Sequence, residues 1–130
     1  MKKLLLLFVL VIFACSSDDI NNSNNSSIEG KWLIEGTVPA GNTMYLFEDG
    51  VRYTYYCIEV DCNALYNSFE ANDGNHLPTT NPYTFEDNIL TIDLHFGNEL
   101  VTAVTFECDG GEAYFETSEY SLFRLNSECN

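Results

Sequence analysis

Residues 43–57 read TMYLFEDGVRYTYYC. Two runs rich in aromatic and β-branched residues flank an acidic turn that ends in glycine, which is the grammar of a β-hairpin. Glu48-Asp49-Gly50 suits a three-residue loop with Gly50 in the left-handed position of a bulge. That register pairs Phe47 with Val51 and sets Tyr45, Phe47, Val51, Tyr53 and Tyr55 on one face. A two-residue Asp-Gly turn would set Phe47 opposite Arg52 and split the aromatics from the branched residues. The bulged form is therefore expected, with Arg52 turned outward.

The same grammar extends in both directions. Residues 31–37 (KWLIEGT) read as a preceding strand, followed by 43–47 and 51–57. Residues 82–86, 89–96, 100–108, 112–117 and 120–126 read as five more. Their connectors, Asp87-Asn88, Gly97-Asn98, Asp109-Gly110-Gly111 and Ser118-Glu119, supply hairpin chemistry. In 89–96 the alternation puts Leu90, Ile92, Leu94 and Phe96 on one side and Thr91, Asp93 and His95 on the other, a half-buried strand. The one long irregular stretch is 63–81, in which 64–69 suits a short helix or a strand. Loops of that length are usually functional or disordered.

Eight consecutive strands must dispose of their edges, and closure into a small antiparallel up-and-down β-barrel does so completely. Gly30-Lys31-Trp32 matches the Gly-x-Trp at the start of the first lipocalin strand. MYLFEDGVRYTYY (44–56), YTFEDNILTI (83–92) and SLFRL (121–125) resemble bacterial lipocalin-like lipoproteins. The resemblance covers almost all of 28–126 and implies an Arg near the end of the last strand packed across the Trp, a place that Arg124 occupies. This domain is shorter than a ligand-carrying lipocalin, and a small barrel can fill its interior with side chains.

The chain opens with Lys2 and Lys3 and an apolar run of 11 residues, 4–14, about half of the ~20 needed to cross a bilayer. Residues 1–14 read as a secretory leader. Ile12-Phe13-Ala14-Cys15 resembles a bacterial lipobox, which implies cleavage before Cys15 and its modification with acyl chains such as palmitate. Two or more acyl chains anchor stably where one binds only marginally. Residues 15–27, almost entirely Asn, Ser and Asp after the cysteine, have nothing to bury and read as a disordered tether. The Ser-plus-acidic stretch after Cys15 also resembles a surface-export signal, which implies attachment to the outer membrane, facing the periplasm or the exterior. The remainder, 28–130, fits one domain with a modest core.

Without Lys2 and Lys3, three basic residues face 20 acidic ones, a formal balance of −17. Nucleic-acid binding through phosphates and docking on anionic lipid are thereby excluded. With Arg52 outward and Arg124 on Trp32, any ligand is expected to be small, neutral or cationic, and partly apolar.

Once Cys15 is assigned to lipidation, Cys57, Cys62, Cys108 and Cys129 remain, an even number in an exported chain. If the first strand runs up, the third runs up and ends at Cys57. The sixth and eighth run down, towards Cys108 and Cys129. The expected disulfides are Cys57–Cys62 and Cys108–Cys129. His76 and His95 fit no metal-ligand spacing, and Glu107, Asp109 and Glu112 lack the order of a calcium loop, so no metal or cofactor is expected.

No nucleophile stands in a recognisable order with a histidine, and the domain is read as non-enzymatic. Two non-enzymatic functions stay open, ahead of an enzyme whose only material is the abundant carboxylates. In one, a monomeric, membrane-tethered module binds a small apolar or aromatic ligand at the barrel mouth through Tyr55, Tyr56 and Tyr66. In the other, a filled barrel contacts protein or glycan through its loops.

Overall fold

A computed structural model describes residues 26–36, 38, 41–58, 61–127 and 129. The leader, Cys15 and residues 16–25 of the expected tether lie outside the described residues. Eight antiparallel strands form a closed barrel in which every strand pairs with the next and the last pairs with the first. They are β1 (Gly30–Leu33), β2 (Thr43–Glu48), β3 (Val51–Tyr56), β4 (Asn81–Glu86), β5 (Ile89–Asp93), β6 (Glu99–Glu107), β7 (Glu112–Phe115) and β8 (Tyr120–Phe123). One helix, α1 (Asn63–Ser68), interrupts the series between β3 and β4. The strands come from alternation and the reversals from residues that tolerate positive φ, notably Asp87 and Asn88 between β4 and β5.

The β2–β3 hairpin differs from the register expected of it. Phe47 pairs with Arg52 and Glu48 with Val51, leaving a two-residue Asp49-Gly50 turn. Both turn residues have positive φ, 50° and 76°, which matches the twist of the flanking strands. Tyr45, Phe47, Arg52 and Thr54 consequently share one face, and Met44, Leu46, Val51, Tyr53 and Tyr55 share the other. The aromatic residues are split between faces because both faces are buried. The first face joins the barrel interior, with Trp32, Tyr83, Leu90, Ile92, Val104, Phe115 and Leu122. The second forms an outer core under α1, with Leu33, Cys57, Cys62, Tyr66 and Phe69.

The base of the barrel is built around Trp32. Its indole N–H donates to Ile28 O at 2.6 Å, which holds the incoming chain across the barrel floor. The Arg124 guanidinium lies over the indole, 4.1 Å from the ring. It also donates to Gly110 O (3.2 Å), Ser27 O (3.3 Å) and Glu29 O (2.8 Å). Ser27, read with the tether, is therefore fixed to the domain. Gly30 has φ +102°, and a Cβ there would stand 2.9 Å from the guanidinium, so the approach of Arg124 requires glycine.

Cys57–Cys62 and Cys108–Cys129 are bonded, the pairing expected from strand direction. Two strand ends differ from the sequence reading. β1 stops at Leu33 and bends through residues 34–36 rather than running to 37. β5 stops at Asp93, whose carboxylate accepts from His95 N at 2.6 Å and turns the chain. His95 and Phe96 follow with φ of 68° and 55°. Leu94 and Phe96 therefore leave the inward series, and Phe96 is fully exposed at 101%. Their alternation carried on past the last ladder hydrogen bond.

β3 and β4 share only two residue pairs, Val51 with Pro82 and Arg52 with Asn81. Above this short seam, Leu77 N donates to Thr54 O at 2.8 Å, so the chain at Leu77 takes over from β4 beside Thr54 of β3.

Candidate functional site

The corrected register brings Arg52 into the barrel. Its side chain shares the inward face with Phe47, which pairs with it on β2, and with Asn81, which pairs with it on β4. The guanidinium lies 4.9 Å from the Tyr45 ring and donates to Asn81 Oδ1 at 2.6 Å. The Asn81 amide nitrogen donates to Asp93 O at 2.8 Å, which fixes the amide so that its oxygen faces the arginine. Tyr120, the first residue of β8, stands near enough for its phenol to interact electrostatically with Arg52. Its ring packs on Phe115 at 4.9 Å. Tyr120 and Arg124 lie at opposite ends of β8, so Tyr120 meets this cluster at the end of that strand away from the Arg124–Trp32 contact, while Tyr45 pairs with Trp32 on β1.

Arg52 is not electrostatically satisfied. Its Nε is buried and has no hydrogen-bond partner. Among the described residues, no carboxylate bonds to it. Burial lowers its pKa, offset by the neighbouring Tyr45 and Tyr120 phenols. Burial also raises the pKa of Tyr45, and raises that of Tyr120 to about 12, so both phenols remain protonated donors. A cation inside a barrel, one phenol at its face and another beside it, is the most distinctive chemistry of the molecule.

The tyrosines read as mouth residues lie elsewhere. Tyr55 is fully buried on the outer side of the wall, stacked on Phe69 with ring centroids 4.2 Å apart, and its hydroxyl donates to Glu70 O at 2.7 Å. Tyr66, on α1, donates to Lys31 O at 3.0 Å and accepts from Leu125 N at 3.3 Å. Both fasten the 61–80 segment to the outside of β1–β3, and burial raises both phenol pKa values, that of Tyr55 to about 12. Tyr56 is exposed. Lys31 completes this outer layer by donating to Tyr66 O at 2.9 Å above the Phe69 ring, 4.5 Å away.

Each histidine is tied to a backbone carbonyl. His76 Nδ1 meets Leu77 O at 2.6 Å and its ring packs edge-on against Tyr53. His95, read as solvent-facing, is half-buried with Nε2 2.7 Å from Thr80 O. Glu112 lies close to the Cys108 and Cys129 sulfurs, but those are committed to a disulfide and offer no thiolate. Glu107 and Glu112 are cross-strand neighbours, and Glu112 accepts a hydrogen bond from Ser121. No helix among the described residues is long and apolar enough to cross a membrane.

Comparison with known proteins finds no match among family models, curated proteins or solved structures. The eight-stranded up-and-down barrel is compatible with a lipocalin-like fold.

The signal that would have located Arg52 was the Asp49-Gly50 pair itself, the strongest short hairpin signature. An outward Arg52 requires one face of the hairpin to meet solvent, and here both faces are covered.

Proposed function

We propose that this chain is a lipocalin-like lipoprotein, anchored to the outer membrane through acyl chains on Cys15, whose barrel binds a small, partly apolar ligand without turning it over. The observation that carries the binding reading is Arg52, a half-buried cation whose buried Nε lacks an acceptor, on the interior face with Tyr45, Phe115 and Tyr120. Buried charge without a full set of partners is costly, and a ligand group is one way that cost is offset. The seams with the shortest ladders are β1–β8, with one residue pair, and β3–β4, with two, and the second lies beside Arg52. The sequence resemblance at Gly30, Trp32 and Arg124 supports the lipocalin-like reading, and the 4–15 stretch supports the anchor.

This reading moves the candidate contacts from Tyr55, Tyr56 and Tyr66 to Arg52, Tyr45 and Tyr120. It also removes the premise for a neutral or cationic ligand, since Arg52 does not face outward. A second reading is favoured by Phe96 and Leu94. These form an exposed apolar tip on the β5–β6 turn, suited to a module that touches a surface partner through its loops.

Thermal-shift screening of the full chain against small neutral, cationic and anionic compounds tests the two readings. Stabilisation that disappears in Arg52→Gln supports binding in the barrel. Stabilisation by none of them shifts the assignment to the loop-contact module. Replacing Cys15 with Ala should move the protein out of the membrane fraction, and an unchanged membrane fraction and mass would refute the anchor.

A further inference from the structure

We infer that the outer face of β4–β6, with the tip that follows β5, docks a partner polypeptide through an arginine or lysine of that partner flanked by apolar residues. The inference rests on the loop-contact reading above, whose partner it specifies, and is independent of binding inside the barrel. Among the described residues seven large apolar side chains are exposed, and four of them, Ile89, Leu94, Phe96 and Val101, belong to β5, β6 or the turn between them. Leu90 and Ile92 fill the interior, so Ile89, Thr91 and Asp93 stand on the outer side of β5. Thr91 pairs with Val101 and Ile89 with Ala103, which makes Ile89 and Val101 diagonal neighbours on that side. The 61–80 segment covers the outside of β1–β3, whereas Ile89 and Val101 are 42% and 50% exposed.

Charge selects the partner. An open groove of about 160 Å³ lies beside this stripe, lined by Pro82, Tyr83, Thr84, Thr91, Asp93 and Glu99. An apolar cavity of about 150 Å³ takes up one benzene, so the groove has room for one side chain. Asp93 and Glu99 stand directly opposite each other across β5–β6, an arrangement in which like charges repel. In the other acidic cross-strand pair, Glu107 with Glu112, Ser121 donates to Glu112, but among the described residues nothing donates to the Glu99 carboxylate. None of the three bases between residues 26 and 129 is engaged here. Lys31 is bonded to Tyr66 O and Asn67 O, Arg52 to Asn81 inside the barrel, and Arg124 lies over Trp32. The complementary charge is therefore positive and comes from another molecule. An arginine or lysine lays its methylene stem along Pro82 and the threonine methyls and brings its head to the two carboxylates. A small amine in the groove would leave Ile89 and Phe96 uncovered at the two ends of β5, and a polypeptide running along the strand covers both. β1 and β5 run in the same direction, so the tip lies at the end of the barrel away from the chain entry at Ser27. That position and its negative charge do not suit docking on the bilayer that would hold Cys15.

The test is NMR titration of the full chain with three capped tripeptides, acetyl-Leu-Arg-Leu-amide, acetyl-Leu-Gln-Leu-amide and acetyl-Gly-Arg-Gly-amide, followed through the backbone amide signals. The Leu-Arg-Leu peptide should shift the amides of residues 83–84 and 91–101. It should bind about three- to fivefold more tightly than the glutamine peptide, the gain that one well-formed exposed ion pair supports. It should also bind more tightly than the glycine-flanked peptide, because the latter cannot cover Val101 and Phe96. The preference for arginine should shrink in Glu99→Gln and on raising salt from ~0.05 to ~0.5 M. Phe96→Ser should weaken binding of both leucine peptides, and both substituted residues are exposed, so the barrel is retained. Equal binding of the glutamine peptide at these residues would overturn the cationic partner and leave the loop-contact reading standing. An arginine response spread over the acidic surface and unchanged by Glu99→Gln would do the same. No response at residues 82–101 to any of the peptides would overturn the inference and the loop-contact reading together.

Discussion

Arg124→Met removes a guanidinium that fastens both ends of the domain and leaves a side chain of similar reach over Trp32. The cation–π contact at 4.1 Å is shielded on one side by the incoming chain, and such contacts contribute about 1–2 kcal/mol. Three hydrogen bonds to Gly110 O, Ser27 O and Glu29 O are lost as well. Hydrogen bonds from charged donors contribute about 1.5–3 kcal/mol when buried. Here one is exposed, two are partly buried, and the freed carbonyls can meet water, so the three together are taken as about 2 kcal/mol. Removing a cation whose pKa is lowered by burial returns part of this. The net loss should be about 3 kcal/mol, against a total of about 5–15 kcal/mol for a domain. For a domain of this size that lowers Tm by roughly 12–24 °C. Urea unfolding followed by Trp32 fluorescence, with disulfides intact, measures it. A loss below about 1 kcal/mol at unchanged m-value would refute the claim that Arg124 holds the base.

Three further outcomes are expected. Replacing Cys108 and Cys129 together with Ala should cost about 3 kcal/mol in urea unfolding, because that bridge closes a loop of sequence separation 21; an unchanged midpoint would refute this. Phe69→Ala should cost about 3–5 kcal/mol, since the ring is buried against Tyr55 and Tyr66, and should release the 61–80 segment to hydrogen exchange. Stability should fall as pH rises from about 10 to about 12. Tyr55 and Tyr120 are held protonated up to about 12, and the unfolded chain loses those protons from pH 10. Phenolate absorbance rising only together with loss of structure would bear this out, and full titration in the folded barrel near pH 10 would refute it.

The strand series, the barrel and both disulfides were legible because they depend on local signals. Alternation marks the strands, Asp87-Asn88 and Asp49-Gly50 mark reversals, and strand parity places Cys57 and Cys108 at opposite ends. What misled was the assumption of one buried face. Residues 44–56 are apolar on both sides because the barrel interior takes Phe47 and Tyr45 while the outer core takes Met44, Leu46 and Tyr55. Alternation cannot say which side is inside when a second layer covers the wall. That layer, the 61–80 segment, carries no periodic signal that reveals where it docks. The candidate site was lost by the same step, because a shift of one residue in the hairpin turns Arg52 from solvent to the interior. Leu94 and Phe96 show the converse case, in which an apolar alternation continues beyond a strand that the Asp93 carboxylate has ended.

Every strand of the barrel has its partner adjacent in sequence except β1, which must wait for β8. Their ladder is a single residue pair, Leu33 with Phe123, and Arg124 reaches back 97 residues to Ser27 to secure it. Hairpins can form in microseconds as each pair of strands becomes available, but ring closure needs both extremities of the domain at once. A chain emerging from its N-terminus therefore stays an open ribbon, with the Trp32 face uncovered, until β8 has been made. Closure spans the longest sequence separation in the barrel and carries its largest loop-closure cost.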